Sequence, residues 1–489
     1  MATPIPRNRA AMTAYEVAVA AGGAIARDVT GGAVAVGFTT DSREVTAGGA
    51  FVALHGEKID GHNFIESALK AGARLLVVSR KFQLPERVDA DVVAVDDPLE
   101  AWGAIARHHL RSWRRARHVG GASVLAITGS SGKTSTKELS KALLATVGAV
   151  SATSGNLNNR IGMPATIFTV NRAHRFAVLE AGMDLSGEMA ALGRICEPDV
   201  AVITRVDLTH NEGVGGSKFA VGAEKGALLE ALRPGGVAVV NADDPMAMAQ
   251  LARTEARAVL FGRGEAAHYR LIERTSRGAS GSWIQFSRPV LGASGKSEVV
   301  EVDLPLIGGA AAMNTVAAVA AAETVYGANL PVELIQKALY DVAPTPGRAF
   351  MRPLRDEILL IDDSYNANPA SMSAAVDTLG EVATGRRKVL VLGEMRGLGT
   401  HAAVEHAELG RRVAREQPGL VIGCGGHIDR ALEVIAGAGL RVISTKNSDE
   451  AAEVAVREVK SGDVVLVKAS LTVNAAAVVQ ALREAYGTD

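Results

Sequence analysis

The chain has 489 residues, which is too long for one hydrophobic core and predicts about three domains. Its 52 basic and 53 acidic residues give a net charge of -1, which excludes recognition of nucleic acid or anionic membrane through overall charge. We find no apolar segment that approaches the ~20 residues of a membrane span, so no membrane insertion is expected. Cys196 and Cys424 are far apart and lack metal-type spacing, so we predict buried thiols in a cytoplasmic protein.

The N-terminal residues 1–112 are predicted to form a small α/β domain. Short apolar runs at 51–54, 75–78 and 92–95 have the length of strands. The basic stretch 107–117 follows them. Two interpretations of that stretch stay open, a solvated helix with a linker and an anion-binding patch, and the first is favoured.

The middle of the chain alternates Val-rich runs with amphipathic helical patterns. The runs are at 123–127, 177–180, 200–204, 237–240 and 258–261. This alternation predicts a parallel sheet covered by helices on both faces, in a domain spanning 113–345. Polar and apolar residues alternate at 282–286 and 298–304, which predicts a small antiparallel sheet inserted in this domain or appended to it.

A second series of buried strands marks the last domain. It comprises the runs 358–362, 388–392, 420–423, 440–443 and 463–467. We assign residues 346–489 to a Rossmann-like α/β domain that follows a Pro- and Gly-containing linker at 344–348.

The strongest local signal is the segment 126–135, Ala-Ile-Thr-Gly-Ser-Ser-Gly-Lys-Thr-Ser, between a predicted strand and a predicted helix. Gly129 and Gly132 let successive backbone N–H groups point into one concavity, and the helix N-terminus favours phosphate there. Lys133 supplies charge for the β- and γ-phosphates, and the Thr134 hydroxyl suits Mg²⁺. The sequence therefore predicts nucleotide binding, although the loop alone does not separate an ATPase, a kinase and a ligase.

Several polar residues in the central domain have ordinary interpretations when taken singly. Glu180 ends a predicted strand, His210 follows the next strand, and Lys225 lies on the helix beyond. A solvated acid, a surface histidine and a surface lysine would each be unremarkable. The Asn- and Gly-rich segment 155–159 and the Asx-rich segment 361–369 predict a tight turn and a helix cap.

Taken together and in order, these motifs resemble those of the Mur ligase family. The resemblance includes the shortened phosphate loop, Gly-Asn-Leu-Asn-Asn with Ile-Gly-Met-Pro at 155–164, and Thr-Asp-Ser-Arg at 40–43. The segment 56–62 is similar to the UDP-binding domain of the late-acting members, which the related folylpolyglutamate synthases lack. Gly-Glu-Met-Arg-Gly-Leu-Gly at 393–399, followed by His406, looks like the members that add D-alanyl-D-alanine.

The resemblance implies a three-domain α/β ligase that uses ATP and two Mg²⁺ ions. It implies ATP binding by Gly129, Ser130, Ser131, Gly132, Lys133, Thr134, Ser135, Asn314, Arg348, Asp363, Tyr365 and Asn368. It implies catalytic roles for Lys133, His210, Lys225 and Arg348. Metal ligation falls to Thr134, Glu180, His210 and Lys225, the last as a candidate for carbamylation.

The implied partners are UDP-N-acetylmuramoyl-tripeptide and D-alanyl-D-alanine, joined through an acyl phosphate by a monomeric enzyme. Substrate binding is implied for Ser42, Arg43, Asn156, Asn159 and Lys468. The third residue of the peptide stays open between meso-diaminopimelate and lysine. Two alternatives are a related ligase with another amino acceptor and a non-catalytic nucleotide-binding scaffold.

The chain departs from the usual family pattern at three places. Ala310-Ala311 stands where the family has His-Asn, Leu471 replaces an arginine, and Arg160 replaces a common acidic residue. None of these positions belongs to the phosphate loop or to the implied metal ligands.

Overall fold

The structure, a computed structural model, describes residues 3–56, 59–116, 121–208, 211–343 and 345–487. Five residues of the sequence motifs, Glu57, Lys58, Arg117, His210 and Pro344, lie outside the described residues. In the part of the chain that is described, no helix is both long enough and apolar enough to cross a membrane.

The N-terminal unit is built on a five-stranded sheet in the order β2-β7-β6-β5-β4, with β1 and β3 paired beside it. Its strands are β1 (Ala11–Met12), β2 (Ala24–Arg27), β3 (Ala35–Val36), β4 (Phe38–Thr39), β5 (Ala50–Val52), β6 (Leu75–Ser79) and β7 (Asp91–Val95). Its helices are α1 (Ala14–Ala21), α2 (Ile65–Lys70) and α3 (Pro98–Arg115). Helix α3 begins where the Asp97 side chain caps it and Pro98 occupies its first turn.

The central unit is built on a nine-stranded sheet in the order β16-β15-β14-β13-β12-β11-β8-β10-β9. The strands are β8 (Ser123–Thr128), β9 (Val150–Ala152), β10 (Phe176–Glu180), β11 (Val200–Ile203), β12 (Val237–Asn241), β13 (Arg257–Gly262), β14 (Tyr269–Ser276), β15 (Ser282–Pro289) and β16 (Ser297–Leu304). The helices are α4 (Lys133–Ala145), α5 (Gly162–Phe168), α6 (Glu188–Cys196), α7 (Lys218–Glu230), α8 (Pro245–Ala249), α9 (Gly309–Tyr326) and α10 (Val332–Asp341). Strands β8 to β13 are parallel. Strands β8, β10, β11 and β12 are buried on both faces, as predicted for a sheet with helices on each side.

The predicted antiparallel segment extends this sheet instead of forming a small sheet of its own. Strand β14 pairs in parallel with β13, and β15 and β16 then continue in antiparallel pairing. The alternation in the sequence predicted β15 and β16 but not β14, and it carries no information about which existing edge the strands join.

The C-terminal unit contains a six-stranded sheet in the order β17-β18-β22-β19-β20-β21, parallel apart from β17. The strands are β17 (Phe350–Pro353), β18 (Leu359–Asp362), β19 (Lys388–Gly393), β20 (Leu420–Cys424), β21 (Val442–Thr445) and β22 (Val464–Lys468). The helices are α11 (Pro369–Val382), α12 (Ala402–Arg415), α13 (Asp429–Gly437), α14 (Ser448–Glu458) and α15 (Ala476–Tyr486). Short 3-10 turns occur at Ser42–Glu44, Gly61–Phe64, Asn211–Val214, Gln250–Arg253, Gly278–Ser280, Gly399–His401, Gly426–Ile428 and Leu471–Val473.

The basic stretch that follows the N-terminal sheet is helical, as predicted, but its favoured interpretation as a solvated helix is wrong for Arg114. The Arg114 side chain is only 8% exposed, because α3 packs against α5 and α6 of the central unit. Helix α3 also runs across the predicted domain boundary at 112, and the boundaries at 112 and 345 stay predictions.

Candidate active site

The phosphate loop connects the carboxyl end of β8 to the N-terminus of α4, and its glycines are fixed by close neighbours. Gly132 has φ +83°, a conformation that favours glycine, and a Cβ there would lie 2.5 Å from Asn314 Oδ1. A Cβ on Gly129 would overlap the Thr204 hydroxyl. Asn314, implied as a nucleotide contact, therefore lies against the loop itself.

The loop is held to the neighbouring strand by Ser130 and by Thr204, which the sequence did not single out. Thr204, directly after β11, donates a hydrogen bond of 2.6 Å from its hydroxyl to the Ser131 carbonyl. The Ser130 hydroxyl donates to the Asp207 carbonyl and accepts from the Asp207 N–H, both at 2.8 Å. These bonds fix the loop before any ligand arrives, which is what a preorganised anion site requires.

Lys133 opens α4 and points back over the loop. Its Nζ donates a 2.7 Å hydrogen bond to the Gly129 carbonyl. Burial of the ammonium lowers the pKa of Lys133, while the nearby Glu180 carboxylate favours its charged form. The Lys133 ammonium group therefore lies beside the concavity where phosphate oxygens would bind.

Glu180 ends β10, beside β8, at the carboxyl edge of the sheet where ligands of open α/β sheets gather. Its side chain is buried, and Asn158 Nδ2 donates a 2.8 Å hydrogen bond to Glu180 Oε1. Among the described residues, Glu180 Oε2 has no hydrogen-bond partner. A buried carboxylate oxygen without a partner is costly, so this atom is suited to a cation.

Lys225 lies on α7 and is buried, with 2% of its surface exposed. Desolvation lowers the pKa of Lys225 well below its ordinary value, and the nearby Lys133 charge lowers it further. The interpretation as a surface lysine is therefore wrong. His210, the fourth implied metal ligand, lies outside the described residues.

The C-terminal unit contributes an arginine and an aromatic ring to the same place. Arg348 Nη2 lies 3.4 Å from Thr134 Oγ1, and its guanidinium carbon lies 4.2 Å from the centre of the Tyr365 ring. The ring face holds the guanidinium by a cation–π contact. Arg348 is therefore positioned over the start of α4 although 214 residues separate it from Thr134.

The Asx-rich turn after β18 both caps a helix and contacts the loop. Asn368 Oδ1 accepts a 2.8 Å hydrogen bond from the Ser371 N–H at the start of α11, as predicted for a cap. Its Nδ2 donates to the Ser130 carbonyl at 3.2 Å. Lys468 Nζ is buried and pairs with Asp363 Oδ2 at 2.6 Å.

A cavity of about 410 Å³ lies between the loop and the C-terminal unit. Its polar wall includes Ser131, Ser135, Asn314, Arg348, Asp363 and Lys468. Its apolar wall includes Leu306, Ile307 and Met313, together with Ala310 and Ala311. A wall of small alanines leaves room for a flat base where the usual family residues are larger.

The implied substrate residues of the first two units do not line this cavity. Arg43 pairs with Asp41 at 2.6 Å beside Ser42, and its side chain is 85% exposed. Asn156 hydrogen-bonds Thr3, and Asn159 Oδ1 accepts from two backbone N–H groups at the start of α5.

Two of the sequence features have structural roles. His406 is fully buried, donates from Nδ1 to the Ala402 carbonyl at 2.7 Å and accepts the Met395 N–H at 2.9 Å. It therefore supports the turn after β19. Arg160, one of the departures from the family pattern, pairs with Glu100 of α3 at 2.6 Å. Leu471, another departure, is 55% exposed.

Comparison with known proteins agrees with this geometry. Three family models match: Mur ligase family, catalytic domain, over 35–110; Mur ligase middle domain over 127–322; and Mur ligase, glutamate ligase domain, over 347–471. The UDP-N-acetylmuramoyl-tripeptide--D-alanyl-D-alanine ligase of Escherichia coli (strain K12) is 36% identical over 376 residues, covering 76% of this chain and 77% of that protein. The chain belongs to the Mur ligase family.

Solved structures of Mur ligases extend the likeness to the whole chain. MurF from Acinetobacter baumannii aligns with a TM-score of 0.84 at 27% identity, covering 99% of this chain and 100% of that one. MurF from Thermotoga maritima, in complex with ADP, aligns with a TM-score of 0.77 at 26% identity, covering 92% and 97%. The predicted family and the predicted three-part α/β architecture are confirmed.

Proposed function

We propose that this protein is an ATP-dependent ligase that joins D-alanyl-D-alanine to UDP-N-acetylmuramoyl-tripeptide. The observation that carries the proposal is the meeting of three groups at one sheet edge: the phosphate loop, the partnerless Glu180 Oε2 and the Arg348 guanidinium. The proposed substrates are those for which the relatives are named, and the site has the groups needed to transfer a phosphoryl group.

ATP is assigned to the cavity between the central and C-terminal units. Its phosphates would meet the loop N–H groups and Lys133, and its base would lie in the apolar part beside Asn314 and Ala311. The ADP complex of the Thermotoga maritima relative supports this assignment.

The donor set at the sheet edge fits Mg²⁺, which prefers hard oxygen ligands and keeps several waters. The Thr134 hydroxyl and Glu180 Oε2 would hold the first ion. Lys225 and His210 are proposed for the second. Burial lowers the pKa of Lys225 and so favours its neutral amine, which is the form that reacts with CO₂ to give a carbamate and a released proton. When bound, Mg²⁺ offsets the negative charge of the transferring phosphoryl group.

The proposed chemistry begins with transfer of the ATP γ-phosphoryl group to the terminal carboxylate of the tripeptide, which gives ADP and an acyl phosphate. The amino group of D-alanyl-D-alanine then attacks the acyl carbon, phosphate leaves, and the amine loses its proton. Lys133 and Arg348 approach the phosphates from opposite units, so they neutralise charge and align the reacting groups.

Substrate recognition is divided among the three units. The UDP-sugar part is proposed to bind to Ser42, Arg43, Asn156 and Asn159. Lys468 is proposed to bind a charged group of the nucleotide or the substrate after its ion pair with Asp363 breaks. We place the reaction in the cytoplasm, consistent with the buried thiols of Cys196 and Cys424, and we expect a monomer.

The proposal is tested by phosphate release from ATP with Mg²⁺, UDP-N-acetylmuramoyl-tripeptide and D-alanyl-D-alanine, omitting each component in turn. Release should require all of them. Release that persists without D-alanyl-D-alanine, or that requires another amino acceptor, would contradict the assigned reaction. ATP binding with no release under any combination would favour a scaffold.

A further inference from the structure

A second cavity lies at the opposite edge of the central sheet from the phosphate loop. It has a volume of about 590 Å³, within the ~300–1,000 Å³ typical of small-molecule sites. The guanidinium-bearing residues Arg111, Arg114 and Arg115 of α3 line one side, and Arg233 lines the other. The amino end of β8 begins beside it at Ala122, so the length of the strand, roughly 20 Å, separates it from the loop.

The charges around this cavity do not balance. Arg111 makes a bidentate pair with Glu197, and Arg233 Nη1 pairs with Asp199 Oδ1 at 2.9 Å. Arg114 Nη2 donates to the Glu197 backbone carbonyl at 2.6 Å and to Asp199 Oδ2 at 3.1 Å, and its Nη1 lies 3.9 Å from Glu197 Oε2. Arg115 donates to the Ser112 hydroxyl at 3.2 Å. Three guanidinium groups therefore contact two carboxylates and Arg115 contacts neither, so the four arginines exceed the two acids by two positive charges.

Arg114 carries the strongest evidence for a ligand. Its side chain is 92% buried and lines the cavity. Nη1 lies 3.9 Å from Glu197 Oε2, and neither Nε nor Nη1 has a hydrogen-bond partner among the described residues. Burial lowers the pKa of Arg114, and the nearby Arg233 charge lowers it further despite the favourable influence of Asp199. Docking of α3 explains the ion pair of Arg111, but it leaves these two Arg114 donors without hydrogen bonds among the described residues.

We propose that this cavity is a second anion site, which binds a phosphorylated small molecule through Arg111, Arg114, Arg115 and Arg233. Guanidinium groups match phosphate oxygens in planar, paired hydrogen bonds. The excess of two positive charges matches the dianion of a phosphate monoester. A soluble phosphate monoester and a phosphorylated lipid headgroup share this chemistry.

The site is also connected to the loop through Asp199. Asp199 Oδ2 accepts a 2.8 Å hydrogen bond from the Val124 N–H and a 3.1 Å hydrogen bond from Arg114. Val124 is the second residue of β8, whose carboxyl end leads into the phosphate loop. A ligand that binds Arg114 would therefore alter its hydrogen bond to Asp199, the residue that also accepts from the Val124 N–H at the start of β8.

The test is calorimetric titration of inorganic pyrophosphate into the full-length protein, with ADP saturating the phosphate loop. The wild type should bind one equivalent, and Arg111→Gln/Arg233→Gln should bind at least ~10-fold more weakly, because two charge-assisted contacts are lost. Both side chains are about half exposed, so folding should persist. Arg430→Gln, which removes an exposed pair on α13, is the matched control and should bind as the wild type does.

Two further arms complete the experiment. If ADP itself fills the cavity, the wild type should bind two equivalents of ADP and the double variant one, which supports the same site. Flotation with phosphatidylcholine vesicles containing phosphatidic acid tests the headgroup as the source. Absence of second-site binding in every arm, or equal affinities in the wild type and the double variant, would overturn the proposal.

Discussion

The contact between the β14–β15 hairpin and α11 joins the central unit to the C-terminal unit beside the proposed ATP cavity. It tests how the two units are held in the arrangement of this structure, which we call closed. Arg274 Nη1 donates to Glu381 Oε1 at 2.9 Å, and Nη2 pairs with Oε2. Arg274 Nε also donates to Ser282 Oγ at 3.0 Å. The Arg274 side chain is 10% exposed and that of Glu381 is 29% exposed, so solvent screens this pair less than a surface pair.

The pair should stabilise the closed arrangement by about 1–2 kcal/mol, above the ~0–1 kcal/mol of surface pairs and below the value for a fully buried one. Arg274→Met keeps the apolar stem and removes the charge. The equilibrium constant between the closed and open arrangements should fall by a factor of roughly 5–30, and KM for ATP should rise by up to that factor. Saturating ATP restores closure, so kcat should change little.

The assay is steady-state phosphate release, with Arg274→Met, Glu381→Gln and the double variant compared in a double-mutant cycle. Arg277→Met is the matched control, because Arg277 pairs with Asp303 inside the central unit and both side chains are over 40% exposed. A coupling energy below ~0.3 kcal/mol, or an equal rise in KM for the control, would refute the role assigned to the pair.

Three other predictions concern the loop, the metal edge and a buried histidine. Lys133→Met should lower phosphate release by about 10²–10³-fold, whereas Lys141→Met, 51% exposed on the same helix, should not; equal rates would contradict the assignment. Asn158→Leu removes the hydrogen bond that orients the Glu180 carboxylate, so the Mg²⁺ concentration for half-maximal activity should rise ~10–100-fold. An unchanged Mg²⁺ titration would count against the role of Glu180 as a metal ligand. Burial lowers the pKa of His406, so between the two pKa values the unfolded chain is protonated at this histidine and the folded chain is not. The free energy of unfolding should fall as pH drops below about 6.5 towards the lowered pKa, and His406→Gln should lose that part of the slope; parallel pH profiles would contradict this.

The sequence predicted the features that depend on local pattern. The buried strands of the central and C-terminal units lie within two residues of the predicted runs, because continuous apolar segments between turn signals mark parallel strands. The loop between β8 and α4 was also predicted, since its chemistry is written in consecutive residues.

The rest depends on contacts between distant segments. The approach of Arg348 to Thr134 was implied only by the family resemblance, and the anchoring of the loop by Thr204 was missed. Asn158 lies in a segment that the sequence predicts as a tight turn, but only the fold brings its amide to Glu180. Hydrophobic period cannot reveal such pairs, nor that α3 docks Arg114 between two units.

The most direct measurement of the central claim follows oxygen from the peptide carboxylate. The substrate is UDP-N-acetylmuramoyl-tripeptide labelled with ¹⁸O in both oxygens of its terminal carboxylate. It is incubated with ATP, Mg²⁺ and D-alanyl-D-alanine, and the masses of the products are measured by mass spectrometry. An acyl-phosphate ligase should yield pentapeptide with one ¹⁸O in the new amide and phosphate with the other. Unlabelled phosphate, or no pentapeptide despite ATP hydrolysis, would contradict the account.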